Sequence, residues 1–169
     1  MTAPSSVEAW LGGPVPGIDP ILMPAAHALL QARRDLESAA RTATPAELWE
    51  RPGGAASAGY HLRHLAGSLD RLTTYARGER LTDAQRAALA AESSTGATAD
   101  ELIATAQETI DRALEQLRRT PADSVFDPRP VGRAALPANV LGLLFHAAEH
   151  TARHVGQLIT TLKVVRGAR

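Results

Sequence analysis

Four stretches of this sequence repeat apolar residues every three or four positions, and proline, glycine or a capping residue fences each of them. That period marks an amphipathic helix, whose apolar stripe has to be buried against a neighbour. The first stretch carries Ile21, Leu22, Ala25, Leu29, Ala32, Leu36, Ala39 and Ala40. Proline fits a helix only in its first turn, so Pro24 sets the start near Asp19 to Ile21, and the end falls near Thr42. The second runs from about Ser57 to Arg77, with Leu62, Leu65, Leu69, Leu72 and Ala76 in its stripe and Gly78 as its stop. The third opens at a capping box, Thr98-Ala-Asp-Glu101, and places Arg118 and Arg119 at the negative end of the helix dipole before Pro121. The fourth spans about Ala138 to Val165, ahead of Gly167, and at about 1.5 Å per residue would be roughly 40 Å long.

Four long amphipathic helices in 169 residues predict an all-α, four-helix bundle. Composition agrees: aromatics are 4 % of the chain and alanine and leucine supply most of the apolar residues, both strong helix formers. No internal repeat and no strand-like alternation is present. Two short helices are expected in the links, one from the capping box Thr44-Pro-Ala-Glu47 to Trp49, the other from Asp83 to about Ala91. The second lies in a connection long enough to cross the bundle between the second and third long helices. Residues 121–137 hold four prolines and read as an ordered loop. Residues 1–19, rich in proline and glycine, read as an extended N-terminal arm with Trp10 and Leu11 docking on the body, and residues 20–169 as a single domain.

Several function classes drop out on composition. Cysteine is absent, which removes disulfides, thiolate metal sites and cysteine nucleophiles. Eighteen basic and 18 acidic residues cancel, which argues against a general binder of nucleic acid or acidic membranes. Arg33-Arg34 and Arg118-Arg119 read as solvated helix faces. No stretch reaches the apolar length of a membrane span, and the N-terminus lacks the basic start and apolar run of a secretory signal, so a cytoplasmic location is expected. A nucleophile elbow, a P-loop and a dinucleotide fingerprint are all missing. Lys163, the only lysine, is the single candidate for Schiff-base chemistry.

Histidine is the resource that remains. Five of the six fall in two clusters, His61-Leu-Arg-His64 on the second helix and His146-Ala-Ala-Glu-His150-Thr-Ala-Arg-His154 on the last. Residues four apart stand one above another on a helix, so two imidazoles at that spacing can converge on one metal ion, with each nitrogen about 2.1 Å from it. A facing helix can supply a third imidazole, giving the open three-histidine form of a catalytic metal site. The residues alone leave a second reading, in which these are hydrogen-bonded core and surface histidines.

The segment Gly53-Gly54…Ser57-Ala-Gly-Tyr-His-Leu-Arg-His64-Leu-Ala-Gly-Ser-Leu-Asp70, followed far downstream by His150-Thr-Ala-Arg-His154-Val-Gly156-Gln157, resembles the DinB/YfiT-like superfamily. The family motif is one histidine in the second helix and HxxxH followed by (R)GQ in the last, and the resemblance covers most of the chain from about Pro20. It implies a four-helix bundle with a three-histidine divalent-metal site, often nickel or zinc. Carried over residue by residue, His64, His150 and His154 match the ligands. His61 and His146 are assigned to the pocket wall, with His61 as the alternative ligand, and Gln157 to bonding a ligand water or the backbone. Glu149 and Asp70 are candidates for orienting a ligand imidazole, with solvent-facing ion pairs as the plainer expectation. Val155 stands where arginine is common in the family. Gly156 is expected to let a neighbouring helix approach closely, Tyr75 is expected in the core, and His27 in the core or at the surface.

The resemblance further implies a metal-dependent transferase that joins a low-molecular-weight thiol to a small electrophilic substrate. With no cysteine in the chain, that thiol has to arrive as a cosubstrate. Metal-assisted hydrolysis is the next enzymatic reading. A non-catalytic, stress-associated bundle that binds metal or a small ligand is the reading from another class. No contact with nucleic acid or membrane is implied, and an apolar outer face on the first or third long helix would favour a homodimer.

Overall fold

A computed structural model describes residues 7–167; residues 1–6 of the expected arm lie outside them. Six α-helices are described: α1 (Met23–Ala40), α2 (Pro45–Trp49), α3 (Ala58–Ala76), α4 (Asp83–Ala90), α5 (Ala99–Arg119) and α6 (Val140–Gly167). α1, α3, α5 and α6 form the expected bundle. Their ends are chemical. Asp19 accepts a hydrogen bond from the Ile21 amide and opens a single 3-10 turn, Pro20–Leu22, that leads into α1. Three capping boxes start α2, α4 and α5, at Thr44 with Glu47, Thr82 with Gln85, and Thr98 with Glu101. Ser57 caps α3, and Asn139 Oδ1 accepts from the Gly142 amide at the head of α6. Gly78, at φ 78°, supplies the left-handed residue that ends α3.

Pairings between helices fix their directions. Arg33 pairs with Asp111 and Gln107 donates to Glu37, so α1 and α5 run antiparallel. Gln116 donates to the Thr73 carbonyl near the ends of α5 and α3, and the Trp49 indole beside the head of α3 donates to Ala97 just before α5, so α3 and α5 are parallel. Histidines pair across α3 and α6 in antiparallel order, and Arg166 reaches Thr42 at the far end of α6 and α1. The order is therefore up, down, down, up. Two successive parallel helices need a connection as long as the bundle, which is what residues 77–98, with α4 inside them, provide. α6 packs on α1 and α3, and α5 packs on the same two helices from the other side.

The core is mainly leucine and alanine. Leu22, Leu29, Leu36, Leu62, Leu65, Leu69, Ile110, Leu117, Leu158 and Leu162 are fully buried, with Leu48 from α2 closing one end. Small alanines between them let the helices approach, which is why so few aromatics suffice. The loop of residues 120–139 is ordered by antiparallel bridges, Pro128 to Asn139 and Val131 to Leu136, and Val125 is buried beneath it.

The arm is anchored differently from expectation. Trp10 and Leu11 are 61 % and 58 % exposed, whereas Ala9 and Ile18 are buried and Val15 packs on the core. Polar ties do the holding: Ala9 N donates to Gln31, His27 Nε2 meets the Gly13 carbonyl at 2.9 Å, and Arg34 reaches the Val7 carbonyl. The small and branched residues of the arm are the buried ones, and the exposed indole lines a cleft between the arm, α1 and α6. Among the described residues, no helix is long and apolar enough to cross a membrane.

Candidate metal centre

α3 and α6 meet along the face that carries the histidines. On α6 the buried stripe runs Leu144, Ala147, Thr151, Val155 and Leu158, so His150 and His154 stand beside it, turned towards α3. On α3, Leu62, Leu65 and Leu69 are in the core, and His61 and His64 occupy the flank facing α6. Antiparallel packing then sets His64 against His150 and His61 against His154.

His64, His150 and His154 each offer a ring nitrogen, and these three atoms lie within 4.8 Å of one another. Their rings form a tight triangle, with centroids 4.4 Å apart for His64 and His154, 4.5 Å for His150 and His154, and 5.2 Å for His64 and His150. His64 Nε2 and His150 Nε2 are 3.0 Å apart. Two imidazole nitrogens that share one ion at about 2.1 Å each are separated by about 3.0 to 3.4 Å, depending on coordination geometry. The observed spacing already matches.

The protonation of the triangle also suits a cation. His64 Nδ1 donates to Glu92 Oε2 at 2.7 Å, and the other oxygen of that carboxylate accepts from Arg71 Nη1 at 2.7 Å. A carboxylate only accepts, so the proton of a neutral His64 sits on Nδ1 and the Nε2 lone pair faces His150 and His154. Burial is the main cause that lowers the His154 pKa, to about 4, and repulsion from His64, His150, His61 and Arg153 adds to it. His150 is lowered as well, first by burial and then by His64, His146 and Arg153. Both rings are thus neutral, with a lone pair to give, at neutral pH. With His150 Nε2 turned to His64, the proton of its neutral ring falls on Nδ1, which is buried with no hydrogen-bond partner among the described residues. An all-imidazole set of this kind suits zinc, nickel, copper or iron better than magnesium or calcium.

Around the triangle, His61 is 6 % exposed and its Nδ1 lies 3.0 Å from His154 Nδ1, so it backs His154 from outside the group of three. Burial, then His64, lowers its pKa. His146 sits at the rim: its ring is 5.4 Å from that of His150, and Nδ1 meets Glu149, which Arg153 also holds. Tyr60 stacks on His64, with centroids 5.4 Å apart and planes 11° from parallel.

The other expected residues do not join the triangle itself. Gln157 is exposed on α6. Asp70 binds Gln85 and faces Arg112 rather than an imidazole, in line with the plainer expectation for it. Gly156 gives no close helix approach: a Cβ there would meet nothing within 4 Å. It faces a cleft of about 610 Å³ between α1, α6 and the arm, on the side of α6 away from the triangle, which Trp10 and His27 also line. Val155, in the place of the family's arginine, is buried in the core. Close approaches occur on α3 instead. A Cβ on Gly59 would lie 2.6 Å from the Trp49 ring, and one on Gly67 would lie 2.8 Å from both Arg71 Nη1 and Glu92 Oε1.

Sequence reasoning missed Glu92, Arg71, Gly67 and Tyr60. Glu92 sits between an alanine-rich stretch and a polar one, 28 residues from His64, with no motif around it. The usable signal was Gly67, since a glycine inside a helix costs about 1 kcal/mol relative to alanine and so points to a close contact.

A family model described as the DinB superfamily matches residues 28–158, from α1 to α6, a span that contains all five clustered histidines and Glu92. No curated protein matches the chain.

Proposed function

The chain belongs to the DinB superfamily, and on that premise we propose that it holds one divalent metal ion, nickel or zinc, on His64, His150 and His154. The single observation that carries this is the convergence of three imidazole nitrogens within 4.8 Å, two of them 3.0 Å apart and one with its lone pair directed inward by Glu92. His61 and His146 wall the site on either side. Gln157, exposed on α6 one turn beyond His154, bonds a ligand water from the open side.

The site serves a transferase that uses a low-molecular-weight thiol. Held by the three neutral imidazoles of His64, His150 and His154, a divalent ion would keep positions open and would lower the pKa of a bound water or thiol. The chain contributes the rest. The three rings bind without adding negative charge, the core leucines behind them exclude water, and the rim of His146, Glu149 and Arg153 meets the incoming molecule. No residue of the chain can act as the thiol.

Metal analysis of protein prepared without a histidine tag tests the binding step. About one equivalent of divalent metal is expected in the wild type, with loss in His64→Ala and in His150→Ala; a metal-free wild type at neutral pH would overturn the reading. A panel of small thiols with electrophiles then tests the transfer. Metal-dependent loss of thiol supports it, and a metal-loaded protein inert with every pair favours a non-catalytic binder.

A further inference from the structure

The connection from Arg77 to Thr98 is exposed or half-exposed at every position but one, and that one is charged: Glu92, 6 % exposed. A glutamate is almost never buried unless it is paired. A crossover of this length would ordinarily be pinned by an apolar side chain. Gln85 ties α4 to Asp70 and Thr74 of α3, but the buried pin is a carboxylate with two partners, His64 Nδ1 and Arg71 Nη1, both at 2.7 Å. The space it occupies exists because residue 67, on the same face of α3, has no side chain. Arg63, also on α3, holds the backbone on either side by donating to the carbonyls of Ala91 and Ser94. α3 therefore supplies the ring to be oriented, the cation that fixes the carboxylate, the gap that admits it and the clamp on its loop.

We propose that Glu92, fixed by Arg71 in the gap left by Gly67, is the positioning residue for His64, and that it ties the crossover to the candidate metal centre. Its chemistry is that of an acceptor held behind a metal-ligating imidazole, which sets the tautomer and the ring orientation. The proposal rests on the metal reading for its consequence, but the hydrogen bond and the tautomer are properties of the metal-free chain. An amide in place of the carboxylate cannot serve both partners. With its oxygen towards His64, its NH2 faces the Arg71 guanidinium, donor against donor. With its NH2 towards His64, the ring has to accept at Nδ1 and carry its proton on Nε2, where it blocks the site.

The test uses the full chain, stripped of metal, in two measurements. First, nitrogen-15 spectra of the imidazoles read the tautomer of His64 in the wild type. The Nδ1–H form is expected, and a wild-type Nε2–H form would overturn the proposal whether or not any variant folds. Secondly, zinc affinity is compared between the wild type and Glu92→Gln, with circular dichroism and thermal unfolding to confirm a folded variant. A loss of about 10- to 100-fold is expected, together with a shift of His64 away from the Nδ1–H form. An unchanged affinity and an unchanged tautomer in folded Glu92→Gln would contradict it. A wild type that takes up no zinc while His64 keeps the Nδ1–H form would sink the metal reading and leave the positioning role standing.

Discussion

At the scale of single residues, the centre depends on keeping imidazoles neutral. His61, His150 and His154 all have lowered pKa values, with burial as the first cause and His154 at about 4. In the unfolded chain these rings titrate near 6.5. Between about pH 6.5 and about pH 4 the unfolded state then binds protons that the folded state does not, so stability is full above the unfolded value and falls as pH drops through that window. Urea unfolding of the metal-free protein should show this decline, with a shallower slope in His154→Gln; equal slopes would count against it. Metal should also leave on acidification, because protons compete for the same lone pairs, and full retention well below about pH 4, where even His154 takes up a proton, would contradict an all-histidine site. The ligand candidates were legible in the sequence because helical spacing is local: HxxxH places two rings on one face wherever the helix goes. Glu92 was not, because its contact depends on how a distant loop is folded. Gly156 was misjudged for a related reason, since spacing cannot say which face of a helix meets a neighbour.

Helix boundaries follow local chemistry, and the sequence marked most of them. The capping boxes at Thr44 and Thr98, Pro24 in the first turn of α1 and Gly78 after α3 all act as expected. The box at Thr82 and the 3-10 entry to α1 were further cases of the same rules. What elements do to one another was less visible. α2 seats the Trp49 ring directly on Gly59, with the indole nitrogen donating to Ala97 and Arg63 lying 5.2 Å over the ring. An aromatic ring has little freedom to move away, so Gly59→Ala should destabilise the fold by about 1–3 kcal/mol, as overpacking does. Denaturant unfolding reads it, and a neutral result would show that α2 shifts freely. Gly67→Ala meets the ends of two side chains instead. It should cost less stability than Gly59→Ala but weaken zinc binding, because the Arg71–Glu92 pair has to give way; a normal zinc affinity would contradict that. Asp70→Asn, which touches Gln85 and not the imidazoles, should leave zinc binding unchanged.

For the whole molecule, the bundle and its crossover were legible from four apolar stripes and one long link, but the helix order was not. Up, down, down, up requires α3 and α5 to lie parallel, and only pairings such as Gln116 with Thr73 establish that. The order has a functional result. It places α3 between α5 and α6, so that one face of α3 meets the imidazoles of α6 while the crossover folds back to deliver Glu92 behind His64. The absences in the composition acquire content in this setting. No cysteine and few aromatics leave a leucine and alanine core, and the histidine triangle forms a polar seam at its flank between α3 and α6. The proposed metal ion sits in this seam. Anomalous-scattering maps from crystals of the untagged protein, collected on both sides of the zinc and nickel absorption edges, test it most directly. One peak is expected within ligand distance of nitrogens of His64, His150 and His154, about 2.1 Å from each. Imidazoles bonded only to one another, with no peak between them at neutral pH, would contradict it.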